Sequence, residues 1–178
     1  SRIIDKEYGG YLNYRDADGS LLSTDKAVWM LGRIIWMWSR FYNTIEKRDE
    51  WLDVAQHGVD FMLKHAFDTD GRMFYLLAQD GRPLRKRRYL YTETFGVVAQ
   101  AEFGRATGSQ EMIDKAKELY QLILRYHATP GLLEPKVFPE TRQLKGHAMP
   151  MILLAMSQVM RQADPSQDSQ YDQVITSS

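Results

Sequence analysis

Long stretches of this chain repeat apolar residues every three or four positions, and short clusters of glycine, aspartate and proline separate them. A period of that kind marks amphipathic helices. The first predicted helix is capped by Thr24 or Asp25 and runs to about Ile45, with Val28, Leu31, Ile34, Ile35, Trp38 and Tyr42 on its apolar side. A second covers about Arg48 to His65 and turns Trp51, Leu52, Ala55, Val59, Met62 and Leu63 inward. A third runs from about Tyr89 to Ala106, and a fourth from about Ser109 to Tyr126, ended by the breaker Thr129-Pro130-Gly131. The fifth spans about Ala148 to Arg161, and Tyr171-Asp172-Gln173-Val174 reads as the start of another.

Between the helices, Asp18-Gly19, Asp70-Gly71 and Asp80-Gly81 favour tight turns, and the alternating residues beside them predict small β-hairpins. Gly131 to Lys145 has three breakers and few helix formers, which predicts a long loop of the kind that often carries function. A weak repeat adds order: a shift of 61 residues lays Glu50, Leu52, Asp53 and Ala55 over Glu111, Ile113, Asp114 and Ala116, and Met62 over Ile123. Both segments are second members of a helix pair. Stacked helical hairpins, in a solenoid or a closed α/α toroid, follow from that pattern. Five helices cannot close a double ring, so residues 1–178 are expected to form part of one domain, lacking its first helix and its C-terminal half.

Composition narrows the partners more than the fold. The 178 residues are 44% hydrophobic, enough for one core, and Lys+Arg and Asp+Glu both total 23, so no overall field draws the chain to nucleic acid or an anionic membrane. Gly32, Arg33, Ser39 and Arg40 interrupt the most apolar stretch before it reaches the length of a membrane span. A small neutral substrate fits at least as well. The absence of cysteine removes disulfides, thiolate metal sites and cysteine nucleophiles, and agrees with a reducing cytoplasm.

Candidate chemistry begins on the first helix, where Trp29, Arg33, Trp36 and Arg40 recur at spacings of four, three and four along one side. A guanidinium there can polarise a carbonyl oxygen and hold hydroxyls; arginines also lie beside buried tryptophans for packing alone. Tyr91 and Glu93 open the third helix, either because a first-turn carboxylate suits the helix dipole or because both line a pocket. Of the four histidines, His57 and His65 lie two helical turns apart, too far to share a metal ion, and His127 sits at a helix end. His147, just after the long loop, is a pocket candidate. The basic run Arg82, Arg85, Lys86, Arg87, Arg88 could meet a phosphate, but beside an Asp-Gly turn in a neutral chain it reads as a solvated loop. No phosphate loop, dinucleotide glycine pattern or His-Glu-x-x-His occurs, so neither a cofactor nor a metal is predicted.

The string Gly9-Gly10-Tyr11, Asp16-x-Asp18-Gly19-Ser20, Asp25-Lys26 and Trp29-Met30-Leu31-Gly32-Arg33, continuing to Trp36-Met37, resembles the N-terminal signature of the N-acylglucosamine 2-epimerase family. Asp80-Gly81-Arg82-Pro83, Tyr91-x-Glu93-x-Phe95, Arg105-Ala106-Thr107-Gly108 and the segment from Met149 to Leu154 follow in the family's order. Leu31 and Ile34 stand where the commonest family form has glutamine, which leaves the substrate open. The resemblance implies an all-α fold, the N-terminal part of an (α/α)6 barrel with small β-hairpin insertions. It also implies a sugar epimerase or isomerase that removes and returns a proton at C2 of an open-chain aldose. Arg33 would hold the substrate and the developing enediolate oxygen, with Trp29, Tyr91, Glu93, His147 and Met149 as substrate-binding neighbours. The family's two histidine bases lie in later helices, and none of the histidines here falls in their motifs, so this piece alone is expected to be inactive. Implied partners are a small sugar, the C-terminal remainder of the same protein and a second copy in a homodimer, with no nucleic acid and no membrane. Two other readings stand beside it. A glycosidase on a helical toroid needs carboxylates about 5 to 10 Å apart, and no spacing singles out a pair among Asp16, Asp18, Glu93 and Glu134. A non-catalytic helical scaffold would show a more regular repeat.

Overall fold

In the computed structural model, which describes residues 3–87, 89–134, 138, 140–143 and 146–178, the apolar period resolves into six α-helices among the described residues. These are α1 (Val28–Thr44), α2 (Asp49–His65), α3 (Tyr91–Thr107), α4 (Gln110–Ala128), α5 (Ala148–Ala163) and α6 (Asp168–Ser177). α1 packs on α3 and α3 on α5, while α2, α4 and α6 each pack against the helix before them. The odd helices therefore form an inner layer and the even helices an outer one, as in the N-terminal part of an (α/α)6 barrel.

The inner layer is close because its contact residues are small. A Cβ added to Gly32 on α1 would lie 2.7 Å from the carbonyl oxygen of Phe95 on α3, and one added to Gly104 would lie 2.9 Å from Ile113 on α4. Helix α3 is enclosed on nearly every side, with Thr92, Glu93, Thr94, Gln100 and Glu102 buried among its apolar residues. The outer helices α2 and α4 bury one face each. Their repeat is a repeat of register, since Ala55 and Ala116 are both fully buried and so are Met62 and Ile123.

Short strands join the helices. β1 (Tyr14–Arg15) and β2 (Leu21–Ser23) form an antiparallel hairpin across Asp18-Gly19, and β3 (Lys26–Ala27), β4 (Leu76–Leu77) and β5 (Pro83–Arg85) form an antiparallel sheet with β4 central. Asp80-Gly81 turns β4 into β5, with Gly81 at φ +91°. The Asp70-Gly71 turn carries no strands, only a single bridge between Phe67 and Met73.

Two boundaries differ from expectation. Thr24 and Asp25 do not cap α1, because Lys26 and Ala27 are drawn into a strand against Leu77 and Leu76 and the helix starts at Val28 without a side-chain cap. Ser109 does cap α4, its hydroxyl accepting from the Met112 amide. The last helix starts earlier than Tyr171, after a 3-10 turn at Pro165–Gln167, because Tyr171 is a buried mid-helix residue whose hydroxyl donates to Asp164. Of the predicted long loop, residues 135–137, 139, 144 and 145 lie outside the described residues; its described residues form no helix or strand.

One buried ion pair ties the N-terminal segment to the sheet and to α2. Lys26 is 1% exposed, and its Nζ donates to Asp5 Oδ2 at 2.7 Å, to the Gly9 carbonyl at 2.6 Å and to the Gln79 carbonyl at 2.7 Å. All three ammonium donors are satisfied, and the charge lies 4.3 Å from the centre of the Phe61 ring. Burial alone would raise the Asp5 carboxyl; hydrogen bonds from Lys26, from the Glu7 and Tyr8 amides and from Gln79 outweigh it and hold the pKa below the ordinary value. A carboxyl whose folded pKa is depressed adds stability above its unfolded pKa and loses it as pH falls through the folded one. Equilibrium urea unfolding should therefore give a stability that is level above about pH 5 and falls below about pH 4. Asp5→Ala, which strands the buried ammonium, should cost about 3 to 5 kcal/mol at pH 7; a cost under about 1 kcal/mol would contradict this role.

Candidate active site

The approach of α1 to α3 at Gly32 brings two ring-bearing faces together. On α1, Trp29 and Arg33 are one turn apart; on α3, so are Tyr91 and Phe95. The Trp29 ring lies 6.4 Å from Tyr91 and 6.0 Å from Phe95, and Tyr91 lies 5.3 Å from Phe95. Arg33 is exposed, with its guanidinium carbon 5.6 Å from the Trp29 ring centre and 5.9 Å from that of Phe95. No described carboxylate pairs with it. A guanidinium supported on aromatic faces, with its donors unspent, is arranged to meet an oxygen-rich ligand.

Phe95 is a member that the sequence reading did not single out. Its signal was present in the i,i+4 spacing to Tyr91, which matches that of Trp29 to Arg33 on the facing helix.

Glu93 has a different position from the one expected of a substrate contact. It is fully buried, and its Oε1 accepts from Arg72 Nε at 2.8 Å and from the Met73 amide at 3.2 Å. Arg72, also buried, donates from Nη2 to the carbonyls of Arg87 at 3.1 Å and Tyr89 at 3.3 Å. The pair thus clamps the segment that leads into α3. Glu93 stands two residues after Tyr91 in the first turn of α3, with its side chain buried against Arg72 rather than open to solvent.

The other candidates are dispersed. His147 is exposed at the residue before α5, and Met149 is half-buried against the core; no hydrogen bond or ring contact joins either to the aromatic cluster. Both share with that cluster only their location at the N-terminal end of an inner helix. His57 Nε2 meets the Asp5 carbonyl at 3.1 Å, and the His65 ring lies on Phe61 at 4.8 Å. Farther along α1, Arg40 belongs to the opposite end of the inner layer. There the buried Glu102 carboxylate meets Arg40 at 3.5 Å and Arg105 at 2.9 Å and accepts from Asn43 at 2.7 Å, while Gln162 on α5 accepts from Arg40 at 2.7 Å. Asp16 and Asp18 accept from the amides of Ala17 and Ser20 in their own hairpin, so they form no carboxylate pair with Glu93.

Comparison with known proteins joins this geometry to a family. The family model described as N-acylglucosamine 2-epimerase (GlcNAc 2-epimerase) matches residues 9–177. The chain belongs to the N-acylglucosamine 2-epimerase family. It is 31% identical to the N-acylglucosamine 2-epimerase of Rattus norvegicus over 173 residues, covering 94% of this chain and 41% of that protein. It is 33% identical to the cellobiose 2-epimerase of Dictyoglomus turgidum over 126 residues, 68% of this chain and 31% of that protein. The solved cellobiose 2-epimerase of Bacillus thermoamylovorans B4167 shares the fold, with a TM-score of 0.84 and 23% identity over 98% of this chain and 49% of that one. The chain therefore spans less than half the length of these relatives. Within this family fold, Arg33 and its aromatic neighbours occupy the N-terminal ends of the inner helices, and the Glu102 network occupies the C-terminal ends.

If the Arg72 and Glu93 pair is what fixes the head of α3, Arg72→Met should destabilise the protein by about 3 to 5 kcal/mol in urea, since it leaves a buried carboxylate without its cation. The double variant Arg72→Met/Glu93→Gln should lose about 1 to 3 kcal/mol less than the sum of the single changes. Additive losses would show that the two side chains act separately.

Proposed function

We propose that the complete protein is a sugar 2-epimerase or aldose-ketose isomerase, with Arg33 at the reacting carbonyl and Trp29, Tyr91 and Phe95 as the wall on which the sugar rests. Arg33 carries the reading, as an exposed guanidinium on an aromatic floor without a carboxylate partner among the described residues. Membership of the family supports it. A base removes the proton from C2 of the open-chain aldose, the electron pair moves onto the carbonyl oxygen, and an enediolate forms. Arg33 offers that oxygen charged donors whose interaction strengthens as negative charge builds, which favours the transition state over the ground state. Proton return to the opposite face of C2 gives the epimer; return to C1, with the proton of the C2 hydroxyl passing to the C1 oxygen, gives the ketose.

The groups that move the proton belong, on this reading, to the remainder of the protein, because His57 and His65 are committed elsewhere, His127 is exposed near the end of the outer helix α4, and His147 makes no contact with the cluster. This chain supplies the N-terminal half of the barrel and the cation. His147 and Met149, at the head of α5, would face the sugar once the ring is complete. A cytoplasmic location and assembly as a homodimer belong to the same proposal. The glycosidase reading loses ground, because Glu93 is buried and Asp16 and Asp18 are held in a hairpin. No helix among the described residues is long and apolar enough to cross a membrane.

In the complete protein, Arg33→Lys should lower kcat/KM for its sugar roughly 30- to 900-fold, about 2 to 4 kcal/mol of transition-state stabilisation, because lysine lacks the planar fork of donors. Product formation followed chromatographically with N-acetylglucosamine, mannose, glucose and cellobiose is the measurement. Turnover within a few-fold of the unaltered protein would remove Arg33 from the mechanism.

A further inference from the structure

The basic run before α3 divides into compensated and uncompensated charges. Arg82 pairs with Asp80 at 2.7 Å, and Lys86 pairs with Asp68 at 2.6 Å and Asp70 at 2.7 Å. Arg88 lies outside the described residues. Arg85 and Arg87 have no carboxylate partner among the described residues, and both lie on one ring: the Arg87 guanidinium carbon is 3.7 Å from the centre of Tyr75, and that of Arg85 is 5.9 Å away. Arg87 is half-buried, donates from Nη1 to the Tyr89 hydroxyl, and encloses an Nε with no hydrogen-bond partner.

Backbone bonds place this cluster beside the site already described. The Tyr75 carbonyl accepts from the amide of Val28, the first residue of α1, at 3.0 Å, and its amide donates to the Arg85 carbonyl at 2.7 Å. Arg72 holds the carbonyls of Arg87 and Tyr89, and Tyr91 opens α3 two residues later. Tyr75 therefore adjoins Trp29 in the chain path and Arg87 adjoins Tyr91.

We propose that Arg87, stacked on Tyr75, and Arg85 at the edge of the same ring form an oxyanion subsite beside the Arg33 cluster, which takes a phosphate or carboxylate carried by the sugar at the end away from C2. With Arg87 Nη1 spent on Tyr89 and its Nε enclosed, Arg87 Nη2 and the exposed Arg85 guanidinium are the donors that would meet the oxygens of such a group. Two cations sharing one ring repel each other, and an anion between them relieves the repulsion. A purely solvated basic loop has no need of the enclosed, ring-stacked position of Arg87. The inference rests on the proposed sugar chemistry for the rest of the ligand, but not for the anion.

The test uses the complete protein with glucose, glucose 6-phosphate, glucuronate and inorganic phosphate as probes, titrated at low and high salt. Glucose 6-phosphate and glucuronate should each bind about 10-fold more tightly than glucose, the worth of one charge-assisted contact. Salt should shrink that preference, and Arg85→Met/Arg87→Met should bring it towards one. Inorganic phosphate should displace glucose 6-phosphate and broaden in its phosphorus NMR signal with the unaltered protein but not with the double variant. Circular dichroism and the melting temperature report whether the variant is folded, and the single variant Arg87→Gln provides a second reading if it is not. Equal affinity for charged and neutral sugars, a preference that survives the substitutions, or phosphate that binds without displacing the sugar phosphate would overturn the subsite. The inorganic phosphate signal does not depend on sugar turnover, so failure of this inference is separable from failure of the C2 chemistry.

Discussion

A helix enclosed on nearly every side must find counter-charges for its carboxylates inside the protein and must leave room for the backbones around it. α3 is in that position. Gly32 and Gly104 provide the room, admitting α1 and α4 to within contact of its backbone and side chains. Buried polar groups without partners cost far more than paired ones, so the carboxylates of α3 are assigned to specific cations. Glu93 takes Arg72 near the N-terminal end, and Glu102 takes Arg40 and Arg105 near the other. Each pairing also fixes something at its own end, the approach to Tyr91 in one case and the side-by-side ends of α1, α3 and α5 in the other. The aromatic cluster depends on this arrangement, because Trp29 and Phe95 meet only where Gly32 lets the helices close.

The sequence was most legible where one face of a helix meets solvent. α2 and α4 carry a strong apolar period, and of the positions expected inward on α2, Ala55, Val59 and Met62 are buried while Trp51, Leu52 and Leu63 are half-buried. α3 is harder to read for the same reason that it is central. With partners all around it, its burial does not follow one stripe, and periodicity cannot say which of its polar residues face a ligand. Glu93 illustrates the difficulty. A carboxylate in a first turn has a sufficient local explanation, and nothing local points to Arg72, which is 21 residues earlier in the chain. Lys26 was likewise unreadable, since a lysine beside a predicted helix start suggests solvent, yet it is among the most buried side chains.

The polar design of the two ends differs in a way that bears on function. At the C-terminal ends of the inner helices, every charge near Glu102 is spent on another protein group. At the N-terminal ends no side chain among the described residues takes the donors of Arg33, which lies on rings that supply shape without competing for them. Charges left without partners cost little while exposed to water and gain strength when a ligand excludes that water. Stability and recognition are in this way assigned to opposite ends of the same helices.

In the proposed function, this chain contributes a cation to proton transfer at C2 of a sugar. Proton NMR of the complete protein in heavy water, with N-acetylglucosamine, N-acetylmannosamine, mannose, glucose and cellobiose followed in parallel, tests it most directly. Deuterium should appear at C2 of at least one sugar together with the signals of a new epimer or ketose. Sugars that all retain their C2 proton would contradict it and favour a hydrolase or a binding scaffold built on the same helices.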